Sequence, residues 1–559
     1  MQTWPLHAGY PLEILDGLWD FAFQEGVLFR EEQCSKIEFH DVTTVPSCFD
    51  LQNICRGLRG TGFYRRRVRV HKGRIRLVCR GFGFLLSVYW DGRKIGESNL
   101  TYSEVPFDFL SEEEGEHELL LAVSNLYDAS AAPLIHPFYD FYGYGGLYRS
   151  VELHQLPDCS VDRAEVRIVD AESGKIRVRL RLSGNLPERC PAAFSLDGAP
   201  FQELLLDSAE PEMELQMENR ELWSPEHPVL HTVTVRTPFS SVTERFGLRT
   251  VKTEGKKLLL NGKEIRLKGI CRHEAHVLFG VSLPPSLILE DVRLLKDLGC
   301  NFVRCVHYPQ DSRFLDLCDE LGLLVWEETL GWGNPPEHFR NPAFAAAQKA
   351  QAHRLIEKSI NHPSIIIWGF LNEGHSNSPE TDALYSELAE ILRSARDGRL
   401  ISYATMFPDD DRSLALADII SVNRYPGWYA SNPDLPRPLK EIEAEMDRLL
   451  KSLAKRGFGN RPVLISEIGA GAIPGWHDTF RVHWSEEYQA DYVRESCRVI
   501  LGNPEFLGLA VWHFSDCRTY ASARALCRPR SLNNKGVLDE YRRPKLAYDV
   551  LKQAYSCQK

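Results

Sequence analysis

The chain has no apolar run long enough to span a bilayer, no C-x-x-C pair, no excess of basic charge and no basic-then-apolar leader at its start. Each absence removes a class of function. A membrane helix needs roughly 20 consecutive apolar residues, and nothing here approaches that. Lys and Arg number 66 against 77 Asp and Glu, a net charge of −11, so neither a nucleic-acid partner nor a membrane surface finds the basic face it requires. The 14 cysteines are scattered without paired spacing, and several (Cys271, Cys300, Cys305, Cys318) fall inside apolar strand or helix patterns. They read as buried free thiols of a reducing compartment, not as a disulfide frame or a zinc site. The opening residues Met1-Gln2-Thr3-Trp4-Pro5-Leu6-His7 lack the features of a secretory signal, so a cytoplasmic protein is expected.

What is present is a globular composition, 43% apolar and 26% charged, in a chain whose 559 residues exceed what one core usually holds. Three textures follow one another. Residues 1–155 read as all-β: Val68 and Val70 alternate with Arg67 and Arg69, Ile75 and Leu77 with Arg74 and Arg76, the period-2 pattern of half-buried strands. Asp91-Gly92 between apolar runs predicts a two-residue hairpin turn. Residues 156–250 continue with short strands and suit a small immunoglobulin-like sandwich. From 251 to 559 strands alternate with helices. Strands are expected to begin near Ile265, Asn301, Leu323, Ser364, Leu400, Ile419, Pro462 and Leu507, with helices over 287–298, 312–321, 343–361, 381–395, 440–455, 486–501 and 544–555. Eight such strands predict a (β/α)8 TIM barrel. A doubly wound open sheet is the competing architecture, but Lys268-Gly269-Ile270-Cys271-Arg272 offers no glycine-rich phosphate turn.

A barrel of this kind carries its chemistry at the C-terminal ends of its strands. Those ends hold Arg272, His273 and Glu274; His307 and Tyr308; Glu327 and Glu328; Asn372 and Glu373; Asn423, Arg424 and Tyr425; Glu467; and Trp512 and His513. Any one of them suits a barrel-rim salt bridge. So many polar groups straight after apolar runs point instead to a shared hydrated pocket, because desolvation otherwise disfavours them. Glu373 and Glu467 are the pair that could flank a glycosidic bond.

The words around these residues resemble glycoside hydrolase family 2. Asn361-His362-Pro363-Ser364-Ile365-Ile366-Ile367-Trp368 followed by Asn372-Glu373 is similar to that family's acid/base signature. Asn301-Phe302-Val303-Arg304-Cys305-Val306-His307-Tyr308-Pro309 resembles its second-strand motif, and Asp140-Phe141-Tyr142-Gly143-Tyr144-Gly145-Gly146-Leu147-Tyr148-Arg149 its linker motif. The resemblance spans nearly the whole chain and implies a jelly-roll-like β-sandwich, an immunoglobulin-like β-sandwich and a catalytic barrel. Two further motifs resemble those of β-glucuronidases: Asn423-Arg424-Tyr425-Pro426-Gly427-Trp428-Tyr429, and the Asn-x-Lys element Asn533-Asn534-Lys535. By itself Asn-x-Lys is a common polar turn. In this family's context it implies a clamp for a sugar carboxylate, since a lysine and an amide give charge-assisted recognition of a uronic acid. The resemblance implies a retaining, exo-acting mechanism with Glu467 as nucleophile, held by Tyr425, and Glu373 as acid and then base. It places Asn372 on the 2-hydroxyl and Asp140 on a remote ring hydroxyl. His307, Asn423 and Trp512 are implied to complete the sugar site, with Trp512 as its floor or else as an ordinary core residue.

The sequence also departs from the pattern. Gly374 follows Glu373 where relatives often have proline, Ile468 follows Glu467 where an aromatic is usual, and Pro426 replaces a second tyrosine. Arg528 and Arg530 stand off the usual arginine offset. The segment 330–341 is short, which predicts an open entrance and a preference for large or oligosaccharide aglycones. A β-glucuronidase is expected first and a β-galacturonidase second; a neutral-sugar β-galactosidase or β-mannosidase, or a non-catalytic carbohydrate-binding protein, follows. No metal or cofactor is indicated, and a homo-oligomer is the expected assembly.

Overall fold

The computed structural model describes residues 3–28, 37–429, 439–523 and 526–556. In the first block a six-stranded antiparallel sheet, in the order Asp41–Val45, Gly17–Glu25, Gly60–Val70, Gly115–Ser124, Leu85–Trp90, Arg93–Ser98, faces a four-stranded sheet of Val105–Ser111, Gly73–Cys79, Val151–Leu156 and Leu12–Ile14. Their inward residues, among them Trp19, Phe21, Tyr64, Leu77, Val88 and Leu121, form one buried core, as strand alternation requires. The Asp91-Gly92 turn has φ of 49° and 76°, the left-handed pair that a two-residue hairpin needs.

The second sandwich packs a five-stranded sheet against the three strands Cys159–Asp170, Lys175–Gly184 and Glu212–Gln216. Its five-stranded sheet contains Leu6–Ala8, which pairs with Ser241–Phe246 across domains. The first few residues of the chain, counted by sequence with the first block, thus edge the second.

The barrel strands are Leu267–Arg272, Phe302–Cys305, Leu324–Glu328, Ile365–Gly369, Leu400–Thr405, Ile420–Asn423, Val463–Ile468 and Gly508–Val511, all parallel. The fifth is split at Tyr403 into Leu400–Ser402 and Ala404–Thr405, which bond to opposite neighbours; the last strand pairs back with the first and the sheet closes. Helices follow seven of the strands; after the fifth there is only the short turn Leu414–Leu416. The helix Pro285–Asp297 buries Ile288, Val292 and Leu295, the i, i+4, i+7 stripe expected of a helix lying on a sheet. No helix among the described residues is long and apolar enough to cross a membrane.

One long connection of the first sandwich lies across the C-terminal end of the barrel. Leu134, Ile135, Phe138, Phe141 and Tyr144 belong to the barrel's own core cluster. Arg149 then pins the segment by donating to Glu274 at 3.0 Å and to the Pro309 carbonyl at 2.9 Å, all buried. That anchoring carries Asp140 to the barrel mouth.

Candidate active site

Glu467 lies inside the seventh strand, at a point where the ladder slips against both neighbours. Such an irregularity re-aims a side chain. Its two oxygens take different donors: Arg304 Nη1 reaches Oε1 at 2.7 Å, and the Tyr425 hydroxyl reaches Oε2 at 2.7 Å. Arg304 is fully buried inside the second strand. Its Nη2 also donates to both oxygens of Glu328 at 3.2 Å and to Asn372 Oδ1 at 2.8 Å.

Glu373 stands beyond the end of the fourth strand on a strained turn, with φ of 43° at Leu371 and 50° at Glu373, a region L-residues rarely occupy. The turn is held from both sides. Asn372 N donates to the Gly331 carbonyl at 3.1 Å, Gly333 N to the Asn372 carbonyl at 2.9 Å, and Glu373 N to the Ala404 carbonyl at 2.9 Å. The short 330–341 segment therefore buttresses the glutamate. Gly374 has a packing reason: a Cβ there would meet the Tyr385 hydroxyl at 2.5 Å, so the proline expected from the motif would collide. Ile468 is buried in the barrel core.

Asn423 Nδ2 bridges Asn372 Oδ1 at 3.1 Å and Glu373 Oε1 at 2.9 Å, while its Oδ1 accepts from Ser466 Oγ at 2.7 Å. The two glutamates thus belong to one hydrogen-bonded constellation. Burial, then the charge of Glu467, pushes the Glu373 carboxyl up to about 8. Burial pushes Glu467 to about 7, with Arg304 and the Tyr425 hydroxyl holding it down. Two like charges in one desolvated site cannot both ionise freely, and the donors decide that Glu467 ionises first.

On the other side of Tyr425 sits Lys535, 2% exposed. Its Nζ lies 5.8, 5.7 and 5.1 Å from the ring centres of Tyr425, Trp428 and Tyr429. Among the described residues it has no carboxylate or carbonyl within hydrogen-bonding distance. Burial, then the charge of Arg528, pushes its pKa well down. Asn533 donates from Nδ2 to Asp140 Oδ1 at 2.9 Å, and its own Oδ1 is buried without a partner. Arg528 Nη2 reaches the same Asp140 oxygen at 2.8 Å, whereas the half-exposed Arg530 turns away to the buried Glu540.

Among the residues expected from sequence, Glu373, Glu467, Asn372, Asn423, Tyr425, Asp140, Asn533 and Lys535 are thus brought together. His307 joins them, its Nε2 3.9 Å from Glu467 Oε1. Trp512 is 1% exposed and stacks under His307 at 5.2 Å and 19°; it backs the histidine and has no open face of its own. Sequence reasoning assigned no role to Arg304 or Glu328 and left Arg528 unplaced. A charged residue inside the apolar run Phe302-Val303-Arg304-Cys305 was the available signal.

One group of metal-ligating side chains converges among the described residues: Asp316, Asp319 and His362, at the opposite end of the barrel. Asp319 is already saturated there by His362 Nδ1 at 2.6 Å and Ser364 N at 3.1 Å, and Asp316 is paired with Arg245 at 3.0 Å. These are ties between a helix, a strand start and the second sandwich.

Two family models match the chain: glycosyl hydrolases family 2, TIM barrel domain, over residues 251–559, and glycosyl hydrolases family 2 over 158–249. A β-glucuronidase of Streptococcus agalactiae is 25% identical over 97% of this chain and 95% of its own length. A solved family 2 β-galacturonidase from Eisenbergiella tayi, bound to galacturonate, superposes with a TM-score of 0.89 at 33% identity, covering 100% of this chain and 99% of that one. A Bifidobacterium dentium β-glucuronidase complexed with coumarin-3-O-glucuronide shares the fold, with a TM-score of 0.87 at 24% identity over 98% and 97% of the two chains. With more than half its length under the barrel model and a full-length match to a solved member, the chain belongs to glycosyl hydrolase family 2.

Proposed function

We propose that the protein is a retaining, exo-acting β-D-hexuronide hydrolase, with β-glucuronides as its first substrates. The observation that carries the reading is Lys535. Burial disfavours the charged form of an amine that has only aromatic rings and no anionic partner among the described residues. A sugar carboxylate would restore that charge, with the second Nδ2 hydrogen of Asn533, whose first goes to Asp140, as an amide donor.

In this reading Glu467 attacks the anomeric carbon while Glu373 delivers its proton to the leaving oxygen. The different pKa shifts suit that division: the acid stays protonated at a pH where the nucleophile, steadied by Arg304 and Tyr425, is ionised. Once Glu467 is esterified its charge is gone, the pressure on Glu373 relaxes, and Glu373 can take a proton from water. Retention requires the two carboxyl groups to stand about 5–5.5 Å apart. Asn372 Nδ2 is buried without a partner and is a free donor for a sugar hydroxyl. Asp140 offers a carboxylate for a remote one.

β-Galacturonides are the second reading. The full-length match to a β-galacturonidase at 33% identity favours it, as does Arg528 on Asp140 where the motif expects a different arginine offset. Hydrolysis rates on the p-nitrophenyl β-glucuronide, galacturonide, galactoside and mannoside, measured side by side, test both. Turnover confined to one or both uronides supports the proposal; preference for a neutral hexoside refutes it.

A further inference from the structure

His307 has one ring nitrogen committed and one open. Nδ1 lies 2.9 Å from Glu328 Oε1, while Nε2 is buried with no hydrogen-bond partner, 3.9 Å from the Glu467 oxygen. The ring is stacked on Trp512 and its edge abuts His273 at 5.4 Å, so its plane is set by packing. Glu328 is 1% exposed, and among the described residues its carboxylate is hydrogen-bonded, besides His307, by Arg304 Nη2 alone, at 3.2 Å to each oxygen. A neutral imidazole must carry its proton on one nitrogen or the other, and the partner of the first decides what the second offers.

We propose that Glu328 is a positioning residue that holds the His307 proton on Nδ1, so that Nε2 presents a lone pair, and not an N–H, to the sugar beside the nucleophile. An ionised Glu328 can only accept, so Nδ1 must donate. The guanidinium of Arg304 favours the ionised form of Glu328 against burial and is itself shared with Glu467. One buried cation thus serves the nucleophile directly and the histidine through Glu328. The consequence for binding is specific: the site beside Glu467 selects a hydroxyl that donates, which leaves Asn372 Nδ2 for a hydroxyl that accepts. The inference deepens the glycosidase reading and rests on it for the identity of the ligand, but not for the tautomer.

The arrangement has a pH consequence. The charged and titratable groups around the pair are Arg304 on the second strand, Glu467 on the seventh, His273 against the ring and Asp140 from the first sandwich; burial and then Arg304 keep His307 itself neutral. Burial pushes the Glu328 carboxyl up to about 7, against the pull of Arg304. Below that pH a protonated Glu328 donates to Nδ1, and Nε2 becomes an N–H.

The test is nitrogen NMR on protein labelled at histidine, with His307→Phe identifying the resonances. At pH 8 the wild type should show an unprotonated Nε2 for His307, and Glu328→Gln, which removes the anionic acceptor, should move the proton to Nε2. A wild-type Nε2–H at pH 8 overturns the proposal even if the variant does not fold. A kinetic cycle adds a second readout on whichever p-nitrophenyl glycoside is hydrolysed, so the outcome is separable from the choice of sugar. Glu328→Gln should lower kcat roughly 10- to 100-fold in the wild type, the range of a lost charge-assisted hydrogen bond, and far less in the His307→Phe background. Full additivity of the two substitutions would contradict action through the histidine.

Discussion

At the end of the barrel where the strands begin, buried charge is closed off. Arg249 donates to the carbonyls of Pro363 and Ile365 at 2.8 Å each. Arg399 reaches the carbonyls of Ile365 and Ile360 and the carboxylate of Asp397, and Asp319 is filled by His362 and Ser364. Asp316 Oδ2, the hydroxyls of Ser359 and Ser364, and the Nε atoms of Arg266 and Arg461 are exceptions. At the end where the strands finish, the order is reversed. Lys535 faces rings, and Asn372 Nδ2, His307 Nε2 and Asn533 Oδ1 are buried without partners. Burial costs the same at both ends. The saturated end holds strands, helices and the second sandwich together, while the unsaturated end keeps open the bonds that a sugar would fill.

That contrast can be broken from either side. The largest effect is expected from Glu467→Gln, which should lower turnover roughly 10⁴-fold or more without loss of fold; retained activity would refute the nucleophile assignment. The same variant should be more stable than the wild type at neutral pH. Glu467 is pushed from 4.5 up to about 7, so between those values the folded state keeps a proton that the unfolded chain releases, and wild-type stability falls as pH rises through that window. Melting curves should show an advantage for the variant that grows across the window and levels above it. No pH dependence in that difference would count against a desolvated carboxylate.

Asp319→Ala should do the opposite, costing about 2–4 kcal/mol by leaving His362 and Ser364 N unpaired while kcat per folded molecule stays unchanged. A large kcat loss at unchanged stability would dissolve the division between the two ends. The pH profile of kcat/KM should be narrow. It should fall on the acid side as the group near 7 protonates and on the basic side as the group near 8 ionises, both values belonging to the coupled pair. Glu373→Gln should abolish the basic limb. The smallest effect concerns the entrance: a large or oligosaccharide aglycone should be cleaved more efficiently than a small one, and equal kcat/KM for the two would remove the case for an open mouth.

The helix and strand pattern of the barrel was legible because each element carries its own period. The strands begin within a residue or two of where the apolar runs place them, and the helix Ser312–Leu321 has the expected limits. Elements without a period were not legible. Leu6–Ala8 is too short to alternate and changes sandwiches through pairing alone, and the break at Tyr403 leaves no mark in the apolar run around it. Glu373 and Glu467 stood out as charges following apolar runs. Arg304, Glu328 and Arg528 take their meaning from partners dozens to hundreds of residues away, which spacing cannot reveal. The reach of Arg528 to Asp140 depends on a segment of the first sandwich crossing the barrel mouth.

The most direct test is Lys535→Ala, assayed on a uronide and on the matching neutral hexoside. The account predicts that the variant loses about 2–5 kcal/mol of transition-state binding for the uronide, while whatever rate the neutral sugar shows does not fall with it. Unchanged uronide hydrolysis, or an equal loss on both sugars, would contradict a site built around a buried lysine that takes up its charge opposite a sugar carboxylate.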